Sequence, residues 1–340
     1  MLVVVLLVAA CAPQPSETRQ TEAPAPEAVS GLRVERVVTD LAGPTQMTFG
    51  PDGRLWVAQL SDGENERRGQ VLAIDLDSGE REVVVDGLDK PTGIAWLDGA
   101  LWIATRDALL RARGGRGDTG DRVAEPDAVL RGLPNNGRSN GTLTPTPDGL
   151  LLYETSGRER EGGFVEGSGT LWELDPAQPD DPQPVATGLK NAYAHVFDRG
   201  GALWSTEIAE PIGGSAAPDE LNRIERGADY GWPACVGDRQ PIAVFGGDRE
   251  RCQDTVRPVA QFGPGATATA VVVNPFAPGE LIVTLWVTGQ VVSVDADGAR
   301  EPRPFLEGLP RPQSLLVDGD TLLVSDHEQG TIYRISEPAA

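Results

Sequence analysis

The sequence has few basic residues relative to acidic ones, and it lacks the common motifs of phosphate-binding and hydrolytic enzymes. Acidic residues outnumber basic ones 51 to 29, giving a formal net charge of −22 at pH 7. Because proteins bind phosphate backbones through clustered Lys and Arg, this composition argues against a nucleic-acid partner. The sequence contains no Walker-type loop, no Gly-x-Ser-x-Gly and no His-Glu-x-x-His. These absences argue against a nucleotide-binding or common hydrolase site.

A long segment with a helical repeat is also absent. The chain instead has 41 Gly, 28 Pro and many short Val, Leu and Trp runs, a composition that favours an all-β protein with many turns. Its length of 340 residues leaves two readings open, because two ordinary domains and one large propeller or barrel both reach this size.

Cysteine is scarce, and the first of the three cysteines follows an apolar run. Met1 to Ala10 has the length of a signal-peptide core and ends in Val-Ala-Ala-Cys, which resembles a bacterial lipobox. The pattern predicts a signal peptide over residues 1–10, lipid attachment at Cys11, and an exported protein anchored to the outer face of the cell membrane. The lipid would be the protein's link to the membrane. One feature departs from the usual signal peptide, because no Lys or Arg precedes the apolar run. The alternative is a transmembrane anchor, for which ten apolar residues are too short.

The other two cysteines, Cys235 and Cys252, are close in sequence. An exported protein keeps its disulfides, so this pair predicts a bridge that closes a loop. A metal pair is the alternative, but it lacks both Cys-x-x-Cys spacing and neighbouring His.

The stretch after Cys11 contains Pro, Glu, Ala, Ser and Thr with almost no large apolar residue. Such a composition cannot bury enough surface to fold, so residues 11–30 are predicted to be a lipidated cysteine with a disordered linker. The folded domain is predicted over residues 31–338.

A unit of about 45–50 residues recurs through that domain. Each copy has an apolar strand, an Asp-Gly-type turn, a strand with Leu-Trp or its equivalent, a third strand, and a fourth strand ending in a Gly-Leu corner. Six copies of four strands predict a six-bladed β-propeller. The last copy lacks its fourth strand, and Arg33 to Leu41 precedes the first copy as an unmatched strand. We therefore expect the N-terminal strand to pair into the last blade and close the ring.

In a propeller, ligands gather at one mouth of the central channel. The repeat places polar residues there, at the entry of each innermost strand and in the loop after each second strand. A ring of Arg, Lys, Asn and Gln suits an anionic or polyhydroxylated ligand such as a sugar. The alternative is that these side chains are polar because the mouth faces water.

The most distinctive stretch is Pro218 to Cys235, in which Asp-Glu-Leu-Asn-Arg-Ile leads through a Gly-containing turn to Tyr-Gly-Trp-Pro. It resembles the glucose/sorbosone dehydrogenase family, the soluble quinoprotein sugar dehydrogenases. The resemblance implies a six-bladed propeller, a pyrroloquinoline quinone (PQQ) cofactor with a neighbouring Ca²⁺, and oxidation of an aldose or related sugar.

The resemblance also implies roles for individual residues. The Arg-Asn pair at the entry of the family's fourth blade is Lys190-Asn191 here. For calcium it implies Glu220 and the backbone of Tyr230, with Asp238 as a further candidate. The mouth positions of the repeat add Gln46, Arg106, Arg138 and Asp326 to Lys190 and Asn191 as the residues expected to bind the cofactor.

The family's catalytic His, at the entry of the third blade, has no counterpart in Gly137 to Gly141, and the arginines of its fifth blade are missing near Trp286. His327 follows Asp326 in a mouth loop and is the candidate replacement base, whereas His195 is expected to pack between sheets. Three hypotheses follow. They are a PQQ-dependent sugar dehydrogenase, a catalytically degenerate propeller that binds a carbohydrate or protein partner, and a calcium-dependent lactonase-like enzyme.

Overall fold

The computed structural model describes residues 25–28, 31–61, 67–114, 123–137, 140–161, 163–209 and 216–338. Cys11, the signal peptide and Arg138 lie outside these residues. The described chain is almost entirely β, with one 3-10 turn at Ala243–Phe245 and one helix at Arg249–Gln253. Within the described ranges, no helix has the length and apolarity to cross a bilayer.

Six antiparallel sheets of four or five strands account for most of the chain. Blade one consists of Pro44–Phe49, Leu55–Gln59, Gly69–Ile74 and Arg81–Leu88. Blade two consists of Gly93–Leu97, Ala100–Ala104, Ala108–Arg113 and Asp127–Arg131. Blade three consists of Thr144–Pro145, Leu151–Thr155, Thr170–Leu174 and Gln183–Thr187.

The second half of the chain repeats this order. Blade four consists of Ala194–Phe197, Leu203–Glu207, Pro218–Ile224 and Ala260–Pro264. Blade five consists of Ala268–Val273, Glu280–Leu285, Gln290–Asp295 and Arg303–Glu307, with Glu27–Ala28 added at its outer edge. Blade six consists of Pro312–Asp318, Thr321–Asp326, Thr331–Ser336 and, outermost, Arg33–Val38. Two short hairpins complete the described strands, Glu159–Arg160 with Gly163–Phe164 and Cys235–Val236 with Gln240–Pro241.

The first strands of successive blades contact one another, so they form the innermost layer of a ring. The predicted six-bladed propeller is confirmed. Blade three differs in one detail, because its innermost strand keeps only two ladder residues, Thr144 and Pro145.

The second strand of each blade carries the core. Those of blades one to four are buried at every position, because each sheet packs between two neighbouring sheets and both of its faces are covered. Trp56, Trp102 and Trp204 occupy equivalent positions in blades one, two and four and are almost fully buried. The indole N–H of Trp56 donates to Asp52 at 3.2 Å and that of Trp204 donates to Asp198 at 3.0 Å. In blades one and four the Asp of the turn therefore fixes the indole, whereas the Trp102 indole of blade two donates to the Leu97 carbonyl at 3.3 Å.

The two ends of the described chain meet in blade six, where Arg33–Val38 pairs antiparallel with Thr331–Ser336. A further strand, Glu27–Ala28, pairs with Leu306 and Glu307 of blade five. It lies within the stretch expected to be linker, so the folded part begins earlier than residue 31. The short strand covers the backbone edge that the outer strand of blade five would otherwise expose.

Hydrogen bonds between innermost strands hold the blades together. Thr45 donates its hydroxyl to the Pro91 carbonyl at 2.7 Å, and Thr92 donates to the Asn140 carbonyl at 2.5 Å. The backbone N–H of Thr142 donates to the Tyr193 carbonyl at 2.6 Å. Each bond joins the entry of one blade to the next blade around the ring.

The large insertion lies in blade four, between Ile224 and Ala260. Its predicted disulfide is confirmed, with Cys235 and Cys252 bonded to each other across a separation of 17 residues. Both cysteines are buried against Ala234. The bridge therefore ties the turn after Trp232 to the helix Arg249–Gln253.

We expect the paired substitutions Cys235→Ser and Cys252→Ser to lower the free energy of unfolding by about 3 kcal/mol, the chain-entropy value for a loop of this length. Urea denaturation under non-reducing conditions measures the change, and the wild type treated with dithiothreitol serves as the chemical control. An unchanged denaturation midpoint in both samples would show that the bridge does not stabilise the insertion.

Candidate functional site

The mouth of the propeller is the face at which first strands begin and second strands end. The loops at this face are the entries to the first strands and the connections between second and third strands, and the insertion of blade four packs beside them. The opposite face consists of the turns between first and second strands and between third and fourth strands. All predicted ligand residues within the described ranges belong to the mouth side.

A recurring bond fixes the mouth loops. In four blades, an amide or carboxylate at or near the end of the second strand accepts the backbone N–H of the loop that enters the first strand of the same blade. The donor N–H and acceptor pairs are Ala42 with Gln59 at 2.9 Å, Gly141 with Glu154 at 2.8 Å, Lys190 with Glu207 at 2.7 Å and Arg311 with Asp326 at 2.9 Å. We call these the entry bonds.

The entry bonds change the reading of Asp326, which was expected to bind the cofactor. Its side chain is 0% exposed, and its second oxygen accepts the backbone N–H of Gln329 at 2.7 Å. A carboxylate whose two oxygens both hold backbone is a structural anchor for the loops on either side of it.

Gln46 is likewise engaged inside the protein. Its carbonyl oxygen accepts the N–H groups of Ile94 at 2.7 Å and Leu143 at 3.1 Å, while its amide donates to the Leu143 carbonyl at 2.9 Å. From blade six, Gln313 donates to the hydroxyl of Tyr193 at 3.0 Å. These two glutamines span the channel between blades, so Gln46 pins blades one, two and three together instead of facing a ligand.

The predicted cations Arg106 and Lys190 also have internal partners. The guanidinium of Arg106 donates to Asp89 at 2.9 and 3.2 Å, and this hydrogen-bonded carboxylate raises the pKa of Arg106. Lys190 is buried, donates to the Gly157 carbonyl at 2.7 Å and lies 5.5 Å from the ring centre of Trp232. Both cations border the mouth while being held by the protein.

Trp232, from the Tyr-Gly-Trp-Pro corner, packs against Phe164 of blade three with ring centres 4.8 Å apart. A Cβ at Gly157 would lie 2.7 Å from its indole, so only glycine lets the loop of blade three approach the ring. The corner thus joins blades three and four and forms one wall of the mouth.

A cluster of buried acids lies behind this wall, formed by Glu154, Glu207, Asp219 and Glu220. Glu207 and Glu220 are opposite each other on adjacent strands, and the amide of Asn222 donates to Glu220 at 3.1 Å and to Glu207 at 3.4 Å. Burial raises the pKa of Glu220 to about 7. Burial, with the neighbouring Glu220 charge, raises the pKa of Glu207 well above its usual value. Two carboxylates therefore share one amide donor in a buried site that disfavours their ionised forms.

The Asn222 carbonyl oxygen is 0% exposed and, among the described residues, has no hydrogen-bond partner. Asn191 has the same property at 4% exposure. An unpaired buried oxygen beside two carboxylates is the donor set that a hard cation prefers. Within the described ranges, no group of three or more His, Cys, Asp or Glu is arranged to hold a metal, so any cation here would also need amide or backbone oxygens.

The other two residues expected at the calcium site differ from Glu220. The Tyr230 hydroxyl donates to the Arg223 carbonyl at 2.7 Å and accepts the Glu225 N–H at 2.9 Å, leaving its backbone as the part able to bind a cation. Asp238 is exposed and pairs with Arg257 at 3.1 Å, so it is a surface ion pair on the insertion and not part of the acid cluster.

The imidazole of His327 is held in one orientation by its contacts with blade one. Its Nδ1 lies 3.1 Å from the Pro44 carbonyl, and since a carbonyl only accepts, Nδ1 carries the proton in the neutral ring and Nε2 is the acceptor. Gly43 has φ of 67°, and a Cβ there would lie 2.9 Å from the imidazole. The glycine makes room for the ring, and the bond to Pro44 also joins blade six to blade one.

Arg311 and Trp286 complete this group and were not assigned from the sequence. The Arg311 guanidinium lies 4.6 Å from the ring centre of Trp286 and donates to the Val287 carbonyl at 2.8 Å. Trp286 meets His327 edge to face, with ring centres 6.0 Å apart. The only sequence signal for Arg311 was its position at the entry of blade six. We call Trp286, Arg311 and His327 the mouth triad.

A cavity of about 570 Å³ opens on the mouth side of blade one, between its entry loop and its outermost strand, within the usual size range of small-molecule sites. It is lined by Ala42, Gln59, Ser61, Arg67, Arg68, Gln70, Asp86 and Gly87. Ala42 precedes Gly43, on which the His327 ring packs. The lining is rich in hydrogen-bonding groups of both kinds, which suits a polyhydroxylated ligand.

His195 is in a different setting. It is 6% exposed on the innermost strand of blade four, and neither ring nitrogen has a hydrogen-bond partner in the described chain. Burial lowers its pKa to about 4, against a smaller opposing effect of the Ala192 backbone. It is therefore a neutral core residue, as expected.

The family model described as Glucose / Sorbosone dehydrogenase matches residues 173–334. This range includes the Tyr-Gly-Trp-Pro corner, the mouth triad, and Glu207, Asp219 and Glu220 of the acid cluster. The predicted resemblance to the glucose/sorbosone dehydrogenase family is confirmed. No curated protein matches the chain in sequence.

Several solved structures share the fold. The calcium structure of a Trichoderma reesei carbohydrate-active enzyme of family AA12 has a TM-score of 0.77 at 17% identity, covering 95% of this chain and 100% of that one. A putative oxidoreductase (glucose dehydrogenase) from Thermus thermophilus has a TM-score of 0.70 at 21% identity, covering 90% and 100%. The PQQ-bound aldose sugar dehydrogenase from Streptomyces coelicolor has a TM-score of 0.66 at 19% identity, covering 91% and 99%.

Proposed function

We propose that this chain is an exported, lipid-anchored oxidoreductase that oxidises a sugar with PQQ at the propeller mouth. The observation that carries the proposal is the mouth triad, in which an oriented imidazole, a guanidinium and an indole meet at the mouth of the propeller. The PQQ-bound structure of the Streptomyces coelicolor enzyme and the calcium structure of the Trichoderma reesei enzyme make these two groups the first ligands to test.

The residues present fit PQQ through one strong contact. PQQ is a planar quinone with three carboxylates, and a guanidinium is the side chain best suited to a carboxylate. Arg311 is one-third exposed; one terminal nitrogen donates to the Val287 carbonyl at 2.8 Å, and its Nε lies 3.6 Å from the exposed carboxylate of Glu328, which a carboxylate of the ligand would have to displace or join. Trp286 backs the guanidinium and restricts its movement.

The acid cluster fits a calcium ion. Glu220, Asn222 and the Tyr230 backbone would supply oxygen ligands, and a divalent cation would offset the cost of burying Glu207 and Glu220 as charged groups. Bound PQQ supplies a quinone carbonyl able to accept two electrons from the sugar. His327 Nε2 is the acceptor for the proton of the sugar hydroxyl, and the Pro44 carbonyl holds the ring in the required tautomer.

Binding of PQQ to the purified protein tests this proposal, measured by calorimetry and by the quinone absorbance. We expect Arg311→Gln to weaken PQQ binding at least about tenfold, the loss of one charge-assisted contact. Arg199→Gln, in an exposed turn of the opposite face, is the matched control and should bind like the wild type. A wild type that does not bind PQQ at micromolar concentrations would refute the proposed cofactor.

His327→Gln separates binding from chemistry. It should retain PQQ binding and lose at least about a hundredfold in the rate of quinone reduction by an aldose, the lower range for removing a general base. Equal reduction rates in the variant and the wild type would remove His327 from the proton transfer.

The second candidate function is a degenerate propeller that binds a carbohydrate or protein partner without oxidising it. The observation that favours it is the internal engagement of Gln46, Arg106, Lys190 and Asp326, all expected at the cofactor. A protein that binds sugars but never reduces added PQQ in any aldose panel would favour this candidate over the first.

A further inference from the structure

The face at which the N-terminal segment leaves the propeller follows from the pairing of strand Glu27–Ala28. The outer strand of blade five, Arg303–Glu307, runs toward the mouth, because the entry to blade six follows it. Glu27–Ala28 is antiparallel to this strand, with Glu27 opposite Glu307, and so runs away from the mouth. Pro26 packs against Gly308, where a Cβ would lie 3.3 Å from its Cα. The chain before Pro26 therefore leaves on the mouth side.

The length of the preceding chain limits how far the mouth can be from an anchor at Cys11. Residues 12–24 span at most roughly 45 Å when fully extended. The exit point is at the rim of the mouth face, so an anchored propeller meets the bilayer at this rim first. Turning the opposite face to the membrane would require about 20 Å of this length to run along the outer edge of blade five, so the tether favours the mouth orientation without enforcing it.

The charges on the two faces also favour turning the mouth toward the membrane. The turns of the opposite face carry an acidic side chain in every blade, namely Asp52, Asp98, Asp148, Asp198, Asp297 and Asp320. The mouth side mixes both signs and carries basic side chains at Arg67, Arg68, Arg158, Arg160 and Arg311. An anionic lipid surface repels the acidic face and tolerates or attracts the mixed one.

Of the three exposed large apolar side chains among the described residues, two lie on the mouth side, and the third, Val83, lies on the outermost strand of blade one. Val287, in the loop after the second strand of blade five, is 46% exposed. Val244 is 72% exposed in the 3-10 turn of the insertion, next to Phe245, which packs on Phe164 in the mouth loop of blade three. Both valines are therefore placed to meet the interface if the mouth faces the lipid.

We propose that the mouth face of this propeller is turned toward the membrane, its rim resting on an anionic lipid surface while the acidic face points away. The inference rests on the proposed lipid anchor at Cys11. Its functional consequence is that the mouth triad lies on the membrane side of the protein.

Energy transfer from a donor dye to an acceptor lipid tests the orientation in the full lipidated chain. The vesicles contain phosphatidylethanolamine and phosphatidylglycerol, and the donor is attached at Thr288→Cys on the mouth or Asp320→Cys on the opposite face, both exposed positions. Strands of six residues separate the faces by about 20 Å, so we expect transfer from the mouth position to be at least about twofold higher. The difference should decrease in vesicles without phosphatidylglycerol.

Two results would overturn the proposal, and they are distinguishable. Equal transfer from both positions in vesicle-bound protein, or higher transfer from Asp320→Cys, refutes the orientation and leaves the anchor intact. Wild-type protein that carries no lipid and does not float with vesicles refutes the anchor, and the orientation with it. Cys11→Ser protein is the matched control and should show low, equal transfer from both positions.

Discussion

Replacing Asp326 with alanine is expected to lower the free energy of unfolding by about 4 kcal/mol. The substitution removes the acceptor of two backbone N–H groups, those of Arg311 and Gln329, and each buried hydrogen bond to a charged group contributes roughly 1.5–3 kcal/mol. Both donors would be left without this partner beside a fully buried position. Urea denaturation measures the loss.

The same substitution should weaken ligand binding at the mouth, because Asp326 fixes the loops that carry Arg311 and His327. Binding is measured in a concentration range where circular dichroism shows the variant still folded. Asp320→Ala is the matched control, since it is an exposed carboxylate in the same blade, and it should change neither property measurably. If Asp326→Ala unfolds at the wild-type urea concentration, the entry bond does not anchor the mouth.

The propeller could be predicted from the sequence because each blade encodes its own strands. The apolar second strands, with Trp56, Trp102 and Trp204 close to their starts, repeat in sequence as they do in space. The disulfide was predictable because the sequence pattern assigns Cys11 to a lipid anchor, which leaves Cys235 and Cys252 as the one pair of cysteines to join. The pairing of Glu27–Ala28 with blade five was not, because a strand of two residues has no alternation to detect.

The site was predicted less well, for a reason that the entry bonds make clear. A polar residue at a mouth position has the same sequence pattern whether it faces a ligand or turns back to the protein. Asp326 and Gln46 turn back, to the N–H groups of Arg311 and Ile94 respectively. Arg311 was missed because its role depends on Trp286, a residue from another blade.

The acid cluster should give the calcium-free protein an unusual pH dependence. Burial raises the pKa of Glu220 to about 7 and that of Glu154 to about 8, from a usual value of 4.5. A carboxyl with a raised pKa contributes stability that is complete below pH 4.5 and is lost as the pH rises through the folded value. Glu220 and Glu154 alone should remove on the order of 8 kcal/mol between pH 4.5 and 8, and Glu207 acts in the same direction.

His195 acts in the opposite direction, because its pKa is lowered from 6.5 to about 4. Its contribution is complete above pH 6.5 and is lost as the pH falls toward 4. Comparing variants at each pH removes this term, since His195 is common to all of them. The free energy of unfolding should therefore fall less with pH in Glu220→Gln than in the wild type. Between pH 4.5 and pH 8 the fall should be smaller by about 3 kcal/mol.

Calcium should reverse the loss in the wild type. At 100 times its dissociation constant it adds about 2.7 kcal/mol at pH 8, and less at pH 5, where protons compete for Glu207 and Glu220. Glu154→Gln is the matched control, because Glu154 shares the cluster and its raised pKa but holds the Gly141 N–H and is not among the proposed ligands. It should reduce the pH dependence and keep the calcium effect, whereas Glu220→Gln should reduce the pH dependence and lose the calcium effect. Equal stabilisation by calcium at pH 5 and pH 8, or its survival in Glu220→Gln, would place the ion elsewhere.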